Sequence, residues 1–218
     1  MPIKAIIFDV DGVIFDSEIL HKIAWEEVFT KYNITLDEDD YFNGIGVSDR
    51  DFLERLRKEG KIPAFIDFED LIAQKNTKIL KVSKNNTRIL PEIYEFISTL
   101  SGQYKIAVAS NSSKEFITNL LETSGLMNFF SVILGRQDII KPKPAPDIYI
   151  KCSQKLGILP QYCCVIEDSP TGIKAAKNAG MYCIAICSTL EKKFLLEADL
   201  IIDYADIKTV ENFLKSIK

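Results

Sequence analysis

Two carboxylates follow a short apolar run near the start of the chain, in the stretch FDVDGV at residues 8–13. Residues 3–7 are apolar and rich in β-branched side chains, which predicts a buried strand. In an extended chain Asp9 and Asp11 project to the same side, because side chains alternate along a strand. Two acids held that close repel each other unless a cation lies between them or they share protons. The pair is a candidate for metal binding or acid–base chemistry, although a solvated turn fits this segment equally well.

A second acidic pair, Glu167 and Asp168, follows another apolar run at residues 163–166. Ser169 can cap a helix that has Pro170 in its first turn, so the segment fits a strand that leads directly into a helix. A simple acidic helix cap would have the same sequence.

Hydroxyl and amide side chains follow the apolar run at residues 105–109. Ser112 with Glu115 fits a capping box, which predicts that a helix begins there. The N–H groups of that helix, together with Ser110 and Asn111, would form a cradle for an anion. Taken alone, a plain capped helix is the better supported alternative.

Lys143 lies in a proline-rich segment, residues 140–147. Residues that precede proline are excluded from the α region, so this segment is extended and stiff. It can hold an ammonium group in a fixed position, although a solvated connector fits the proline content as well. Lys141 is the alternative lysine in the same segment.

The elements that must position these residues form a strand–helix alternation that begins near residue 89. Strands are predicted at 105–109, 132–134, 163–166, 182–186 and 200–202, and helices at 115–124, 147–156 and 170–179. Residues 16–88 instead show helical periodicity without a convincing strand. We therefore predict an α/β fold with a Rossmann-like parallel-sheet core, residues 1–15 and 89–218. A helical cap, residues 16–88, is inserted after the first strand.

Ligands of such sheets bind beyond the carboxyl ends of the strands. Four strand ends would therefore bring two acidic pairs, a hydroxyl group and a lysine to one edge, and this convergence is stronger evidence than any single motif. Oxygen ligands without a neighbouring His or Cys favour Mg²⁺. Such a site suits the transfer of a phosphoryl group.

Composition restricts the remaining possibilities. The chain has 218 residues, 47% of them hydrophobic, and a formal net charge of -4. We expect no nucleic-acid partner, no membrane span and no signal peptide, and we expect a cytoplasmic monomer. The five cysteines lack a Cys-x-x-Cys pair and are interpreted as buried free thiols, with a redox pair of Cys183 and Cys187 as the weaker alternative.

The four motifs together resemble those of the haloacid-dehalogenase superfamily of phosphotransferases, over essentially the whole chain. They are residues 9–13, Ser110-Asn111, Lys143 with the following Pro-Ala-Pro-Asp, and Glu167-Asp168. Lys143 is preferred to Lys141 because it alone has the Lys-Pro-x-Pro-Asp register. The position of the cap is similar to that in the branch that contains β-phosphoglucomutase and many sugar-phosphate phosphatases.

This resemblance implies a role for each motif residue. Asp9 would be the nucleophile that forms an aspartyl-phosphate, and Asp11 the general acid and then the base. Mg²⁺ would be bound by Asp9, the backbone carbonyl of Asp11 and Asp168, with Glu167 close by or bridging through water. The phosphoryl oxygens would be held by Ser110, Asn111 and Lys143.

The cap would hold the substrate-specific residues, for which the candidates are His21, Arg50 and Lys75. His21 and Lys75 lie where the mutase has matching residues. The pair Asp49-Arg50 departs from the mutase, whose pattern has arginine directly after the serine, and Asn111 is more similar to the phosphatases. A solvated helix face is an equally good interpretation of each cap candidate.

The expected function is a Mg²⁺-dependent phosphatase of a small phosphorylated metabolite, first of all a sugar phosphate. The alternative is a phosphohexomutase similar to β-phosphoglucomutase. A phospho-accepting receiver module is disfavoured, because it is shorter and has no cap after its first strand. A nicotinamide enzyme is disfavoured because the glycines at residues 44 and 46 do not follow a strand.

Overall fold

The computed structural model describes residues 2–204 and 206–217. The strands in these ranges are β1 (Ala5–Phe8), β2 (Lys105–Ala109), β3 (Val132–Leu134), β4 (Cys163–Glu167), β5 (Tyr182–Ile186) and β6 (Leu200–Ile202). The α-helices are α1 (Glu18–Thr30), α2 (Glu38–Phe42), α3 (Asp49–Lys58), α4 (Phe68–Asn86), α5 (Ile93–Ser101), α6 (Lys114–Thr123), α7 (Asp147–Leu156), α8 (Pro170–Asn178) and α9 (Ile207–Ser216).

All six strands pair in parallel in one sheet, in the order β3-β2-β1-β4-β5-β6. Strand β1 is central, and its last residue, Phe8, pairs with Val108 on one side and Ile166 on the other. The strand order reverses between β1 and β4, which is where ligands bind in open sheets of this kind. The predicted α/β fold is confirmed, and both acidic pairs lie at this reversal.

Helices cover both faces of the sheet, which explains why the strands are continuous apolar runs. Alternate residues of β1 point to opposite faces: Ile6 and Phe8 contribute to one buried cluster, and Ala5 and Ile7 to the other. The first cluster includes side chains of α5, α6 and α9, and the second includes side chains of α7 and α8. The strand ends that carry the polar motifs are therefore fixed by a core on each side.

Helices α1 to α4 lie between β1 and α5, within the segment predicted as the cap. They have a hydrophobic cluster of their own, in which Trp25 stacks on Phe29 with ring centroids 4.9 Å apart. Helix α1 packs along α4. The division of the chain into two domains at residues 16 and 88 stays a prediction.

Several elements have the same first and last residues in the structure as in the prediction, namely the strands β2, β3, β5 and β6 and the helix α7. Helices α5 and α9 were not anticipated. All five cysteines are free thiols, so Cys183 and Cys187 are not bonded to each other. No helix in the described ranges combines the length and the hydropathy that a membrane crossing requires.

The predicted capping box at the start of α6 is wrong by one residue. The N-cap is Ser113, whose hydroxyl accepts a hydrogen bond from the N–H of Phe116. Ser112 does not cap the helix, because its hydroxyl donates to Asp11 at 2.7 Å. The cap lies one residue later than predicted because a buried carboxylate binds Ser112, whereas the helix itself begins at Lys114, one residue before the predicted start at 115.

Candidate active site

The acidic pair after β1 lies at the carboxyl edge of the sheet. Asp9 continues the pairing with β4, since its N–H donates to the carbonyl of Ile166 at 2.9 Å. The chain then turns at Gly12, whose φ is +70°. A β-carbon at Gly12 would lie 1.9 Å from Oδ2 of Asp168. Glycine is therefore needed both for the turn and for the close approach of the two acidic motifs.

Lys143 joins the two acidic motifs. Its Nζ donates to Oδ1 of Asp9 and to Oε1 of Glu167, each at 2.6 Å, and the side chain is 3% exposed. Burial lowers the pKa of Lys143, but the charges of Asp9 and Glu167 outweigh burial and raise this pKa above its ordinary value. The ammonium group is therefore charged at neutral pH. The alternative lysine, Lys141, is exposed.

Glu167 is fully buried and both of its carboxylate oxygens are occupied. Oε1 accepts from Lys143 and from the hydroxyl of Tyr149, each at 2.6 Å. Oε2 accepts from the backbone N–H of Asp168 at 3.1 Å and from the Ser169 hydroxyl at 3.0 Å. In this arrangement Glu167 holds Lys143 in place, and neither of its carboxylate oxygens is left without a hydrogen-bond donor.

Within the described part of the chain, Asp168, unlike Glu167, has a carboxylate oxygen that is not hydrogen-bonded. Its Oδ2 is buried and has no hydrogen-bond partner among the described residues. Burial, followed by the charges of Glu167 and Asp9, raises its pKa well above the ordinary value. An unpartnered buried carboxylate oxygen is costly, and a bound cation would remove that cost.

The oxygen atoms at this point fit a hard divalent cation. One carboxylate oxygen from each of Asp9, Glu167 and Asp168 lies within 4.8 Å of the others. Burial also raises the pKa of Asp9, with Glu167 and Asp11 adding to the effect and Lys143 opposing it. Three buried carboxylates with one lysine leave an excess of negative charge, which is the donor set that suits Mg²⁺.

Asp11 is held differently from Asp9. Its Oδ1 accepts from Ser17 at 2.6 Å and lies 3.0 Å from Nε2 of His21. Its Oδ2 accepts from the hydroxyls of Ser110 at 3.1 Å and Ser112 at 2.7 Å. Burial raises the pKa of Asp11, but His21 and the hydroxyl groups outweigh it and lower this pKa below the ordinary value. The two neighbouring acids thus have pKa values that are shifted in opposite directions.

Asn111 links three segments of the site. Its Oδ1 accepts from the N–H of Lys143 at 3.1 Å, and its Nδ2 donates to the carbonyl of Gly46 at 3.4 Å. The Thr171 hydroxyl donates to the same carbonyl at 2.8 Å. The loop of the cap that contains Gly46 is therefore in contact with the core motifs.

A pocket lies between the cap and the core motifs. We call its cap side the cap wall, formed by Glu18, His21, Lys22, Trp25, Tyr41, Asp49, Phe52 and Lys75. We call the opposite side the core wall, formed by Asp9, Asp11, Ser110, Asn111, Ser112, Lys143, Asp168 and Ser169. Every core motif predicted from the sequence is represented in the core wall, although Glu167 lies behind it.

The three cap candidates have different positions. His21 contacts Asp11, and Lys75 belongs to the cap wall, where Asp49 binds it. Arg50 does not line the pocket; it forms an ion pair with Glu69, and its side chain is 46% exposed. The structure brings His21 and Lys75 to the site and leaves Arg50 outside it.

Sequence reasoning missed the roles of four residues: Ser17, Ser112 and Tyr149, which bond to the motif carboxylates, and Glu18, which lines the pocket. Tyr149 lies in the first turn of α7, directly after the Lys143 segment, and its position in an apolar stripe gave no sign that its hydroxyl bonds to Glu167. Glu18 could have been found from the sequence, since it is the one acid in the first turn of α1. Burial, opposed by His21, raises the pKa of Glu18 to about 7.

This shift makes stability depend on pH in a defined direction. The pKa of Glu18 is higher in the folded protein than its ordinary 4.5, because its charged form is unfavourable there. The free energy of unfolding therefore falls as the pH rises from about 4.5 to about 7. Glu18→Gln should therefore stabilise the protein by about 3 kcal/mol at pH 8 and by little at pH 4.5. Urea unfolding from pH 4.5 to 8 measures this difference, with the exposed Glu122→Gln as the control. A difference that does not grow with pH would contradict the assignment.

The fold and the pocket define an α/β enzyme whose acidic residues lie where the strand order reverses, beneath a helical cap. The chain belongs to the haloacid dehalogenase-like hydrolases, whose family model matches residues 6–186. The resemblance inferred from the motifs is confirmed.

The similar proteins include both phosphatases and a mutase. The chain is 29% identical to the fructose-1-phosphate phosphatase of Escherichia coli over 81% of this chain and 92% of that protein. It is 29% identical to the β-phosphoglucomutase of Bacillus subtilis over 95% of this chain and 92% of that protein. The crystal structure of β-phosphoglucomutase from Clostridium difficile has a TM-score of 0.87 and 28% identity, and covers 98% of this chain and 97% of that one. The chain is an enzyme of the phosphatase and phosphomutase branch of the family.

Proposed function

We propose that the protein is a Mg²⁺-dependent phosphatase that hydrolyses a small sugar phosphate by way of an aspartyl-phosphate on Asp9. The observation that carries the proposal is the bridge from Lys143 to Asp9 and Glu167, beside the unpartnered oxygen of Asp168. A nucleophilic carboxylate, a fixed cation and an open cation position are the components that phosphoryl transfer requires.

The proposed reaction has two steps. A carboxylate oxygen of Asp9 attacks phosphorus, the bond from phosphorus to the ester oxygen breaks, and Asp11 gives its proton to the leaving oxygen. Water then attacks the phosphorus of the aspartyl-phosphate, its proton passes to Asp11, and inorganic phosphate leaves Asp9. Ser110, Asn111 and Lys143 hold the phosphoryl oxygens in both steps.

Asp11 must carry a proton before the first step. The surrounding hydroxyl groups and His21 hold it as a carboxylate in this arrangement, which is the form that the second step uses. His21 is the group that can supply the proton, because its Nε2 lies 3.0 Å from Oδ1 of Asp11. His21 therefore connects the cap to the acid–base residue.

Asp9 and Asp168 would hold Mg²⁺, with the backbone carbonyl of Asp11 and with Glu167 nearby. When bound, the ion would screen the charge of Asp9 and polarise the phosphoryl oxygens, so that an anionic ester can approach a carboxylate. The fit rests on the buried Oδ2 of Asp168, which lacks another partner among the described residues.

Metal binding is expected to stabilise the protein. At ten times its dissociation constant Mg²⁺ adds about 1.4 kcal/mol, which corresponds to a rise of about 3–6 °C in the melting temperature of a chain of this length. Asp168→Asn should abolish this rise, and the exposed Asp203→Asn should retain it. Thermal melts with EDTA and with Mg²⁺ measure the effect. An equal rise in native protein and Asp168→Asn would contradict this site.

The proposed substrate is a small phosphorylated metabolite. This is supported by the names of the two relatives given above, a fructose-1-phosphate phosphatase and a β-phosphoglucomutase. We also propose a monomer in the cytoplasm. The five free cysteines support a reducing compartment, and the net charge of -4 supports the absence of a nucleic-acid partner.

A panel of sugar phosphates with Mg²⁺ tests the proposal, with inorganic phosphate as the measured product. Release of phosphate from one or more members is expected, and the absence of release from every member would contradict it. The second candidate is a phosphohexomutase, which the contact between His21 and Asp11 and the similarity to β-phosphoglucomutase favour. Conversion of β-glucose 1-phosphate to the 6-phosphate without net phosphate release would establish that reaction instead.

A further inference from the structure

The cap wall contains a nearly closed ion pair that faces the pocket. Nζ of Lys75 donates to both carboxylate oxygens of Asp49, at 2.9 and 3.0 Å. The Lys75 side chain is 2% exposed and that of Asp49 is 27% exposed. The carboxylate therefore covers the ammonium group from the side of the pocket that is open to solvent.

Local structure fixes both partners of this pair. Lys75 lies in the middle of α4, and its Nζ is 5.8 Å from the centre of the Trp25 ring. Asp49 is the first residue of α3, directly after the capping Ser48, where the helix dipole favours a negative charge.

The remaining charges of the cap wall do not compensate for this neutralisation. Lys22 is its second lysine, and this lysine forms ion pairs with Glu38 and Glu26 outside the pocket. Glu18 adds an acid to the wall. Both lysines of the cap wall are therefore already matched by carboxylates, and its histidine, His21, is bound to Asp11.

A second phosphate group on the substrate would be unfavourable at such a wall. It would have to be desolvated beside Asp49 and Glu18, with no free cation to replace its water. The hydroxyl groups of an uncharged sugar are better suited, since they can donate to the partly exposed carboxylate of Asp49 while the C–H face packs on Trp25.

We propose that Asp49 is a specificity-determining residue that neutralises Lys75 and so restricts the substrate to monophosphates whose remaining part is uncharged and hydroxylated. This inference rests on the proposed hydrolysis of phosphate esters, and it assigns to the cap wall the discrimination between monophosphates and bisphosphates.

The test compares matched substrate pairs, namely fructose 1-phosphate with fructose 1,6-bisphosphate and glucose 6-phosphate with glucose 1,6-bisphosphate. The native enzyme should have a kcat/KM that is at least about tenfold higher for the monophosphate of a pair that it hydrolyses. Asp49→Asn keeps the shape of the side chain and frees the charge of Lys75. It should raise the ratio of bisphosphate to monophosphate kcat/KM by about tenfold.

Two further variants assign the effect to the pair. Asp49→Asn combined with Lys75→Met removes the freed cation and should return the ratio to the native value. Asp51→Asn is the matched control, because Asp51 lies in the same first turn of α3, bonds to Ser48 and does not line the pocket. It should leave the ratio unchanged.

The outcomes separate this inference from the proposed function. If native protein hydrolyses p-nitrophenyl phosphate but prefers a bisphosphate, or if the Asp49→Asn ratio stays native, the inference is overturned and the proposed function stands. If a variant does not fold, the ratio of kcat/KM for monophosphate and bisphosphate in the native enzyme still tests the inference. If native protein hydrolyses no phosphate ester at all, the proposed function fails first, and with it the inference.

Discussion

Asp9→Asn is expected to lower phosphate release by at least about 10⁴-fold. The amide has the size of the carboxylate but cannot attack phosphorus. The fold should survive, because the substitution removes a buried charge while Lys143 keeps its bond to Glu167. Initial rates on the best substrate of the panel measure the loss.

The control for this variant is Asp16→Asn, an exposed acid in the same segment. It should retain native turnover. Thermal melts of both variants show whether a loss of activity reflects chemistry or unfolding. Turnover by Asp9→Asn within tenfold of native would mean that another group carries the phosphoryl transfer.

Lys143→Met is expected to damage both activity and stability. The substitution leaves Asp9 and Glu167 buried without their shared cation, and the loss of one partner from a buried charge network costs about 3–5 kcal/mol. Turnover should fall about 10²–10³-fold, because a fixed positive charge at the phosphoryl group is removed. Urea unfolding with EDTA and initial rates with Mg²⁺ measure the two effects separately.

Lys141→Met is the matched control, since it removes an exposed lysine two residues away in the same segment. Its stability and turnover should remain native. If the two variants behave alike, Lys143 does not have the role that its contacts indicate. If Lys141→Met alone loses activity, the alternative lysine is the phosphate-binding one.

The fold was largely predictable because the strands are uninterrupted apolar runs that end at polar motifs. The run at residues 105–109 predicts both ends of β2, and Gly157 predicts the end of α7. The structure has β2 and the end of α7 at these positions. Convergence of the motifs was also predictable, because parallel strands bring their carboxyl ends to one edge. The register of β1 with β4 pairs Phe8 with Ile166, so the residues that follow them, Asp9 and Glu167, lie side by side at this edge.

The details of the site depend on tertiary contacts that local patterns do not contain. The sequence favours Ser112 as the cap because Glu115 would complete a capping box, but the distant carboxylate of Asp11 binds Ser112 and Ser113 caps α6 instead. The pairing of Asp49 with Lys75 joins two helices of the cap, and no periodicity within either helix predicts it. Arg50 follows Asp49 directly in sequence, yet it pairs with Glu69 outside the pocket.

The covalent intermediate is the central claim, and chemical trapping tests it most directly. Native protein is mixed with its best substrate and Mg²⁺, quenched in acid during turnover, and reduced with borohydride, which converts an aspartyl-phosphate to homoserine. Peptide mass spectrometry should find homoserine at position 9, and Asp9→Asn should show none. Homoserine at position 11, or its absence everywhere while phosphate is released, would contradict the account.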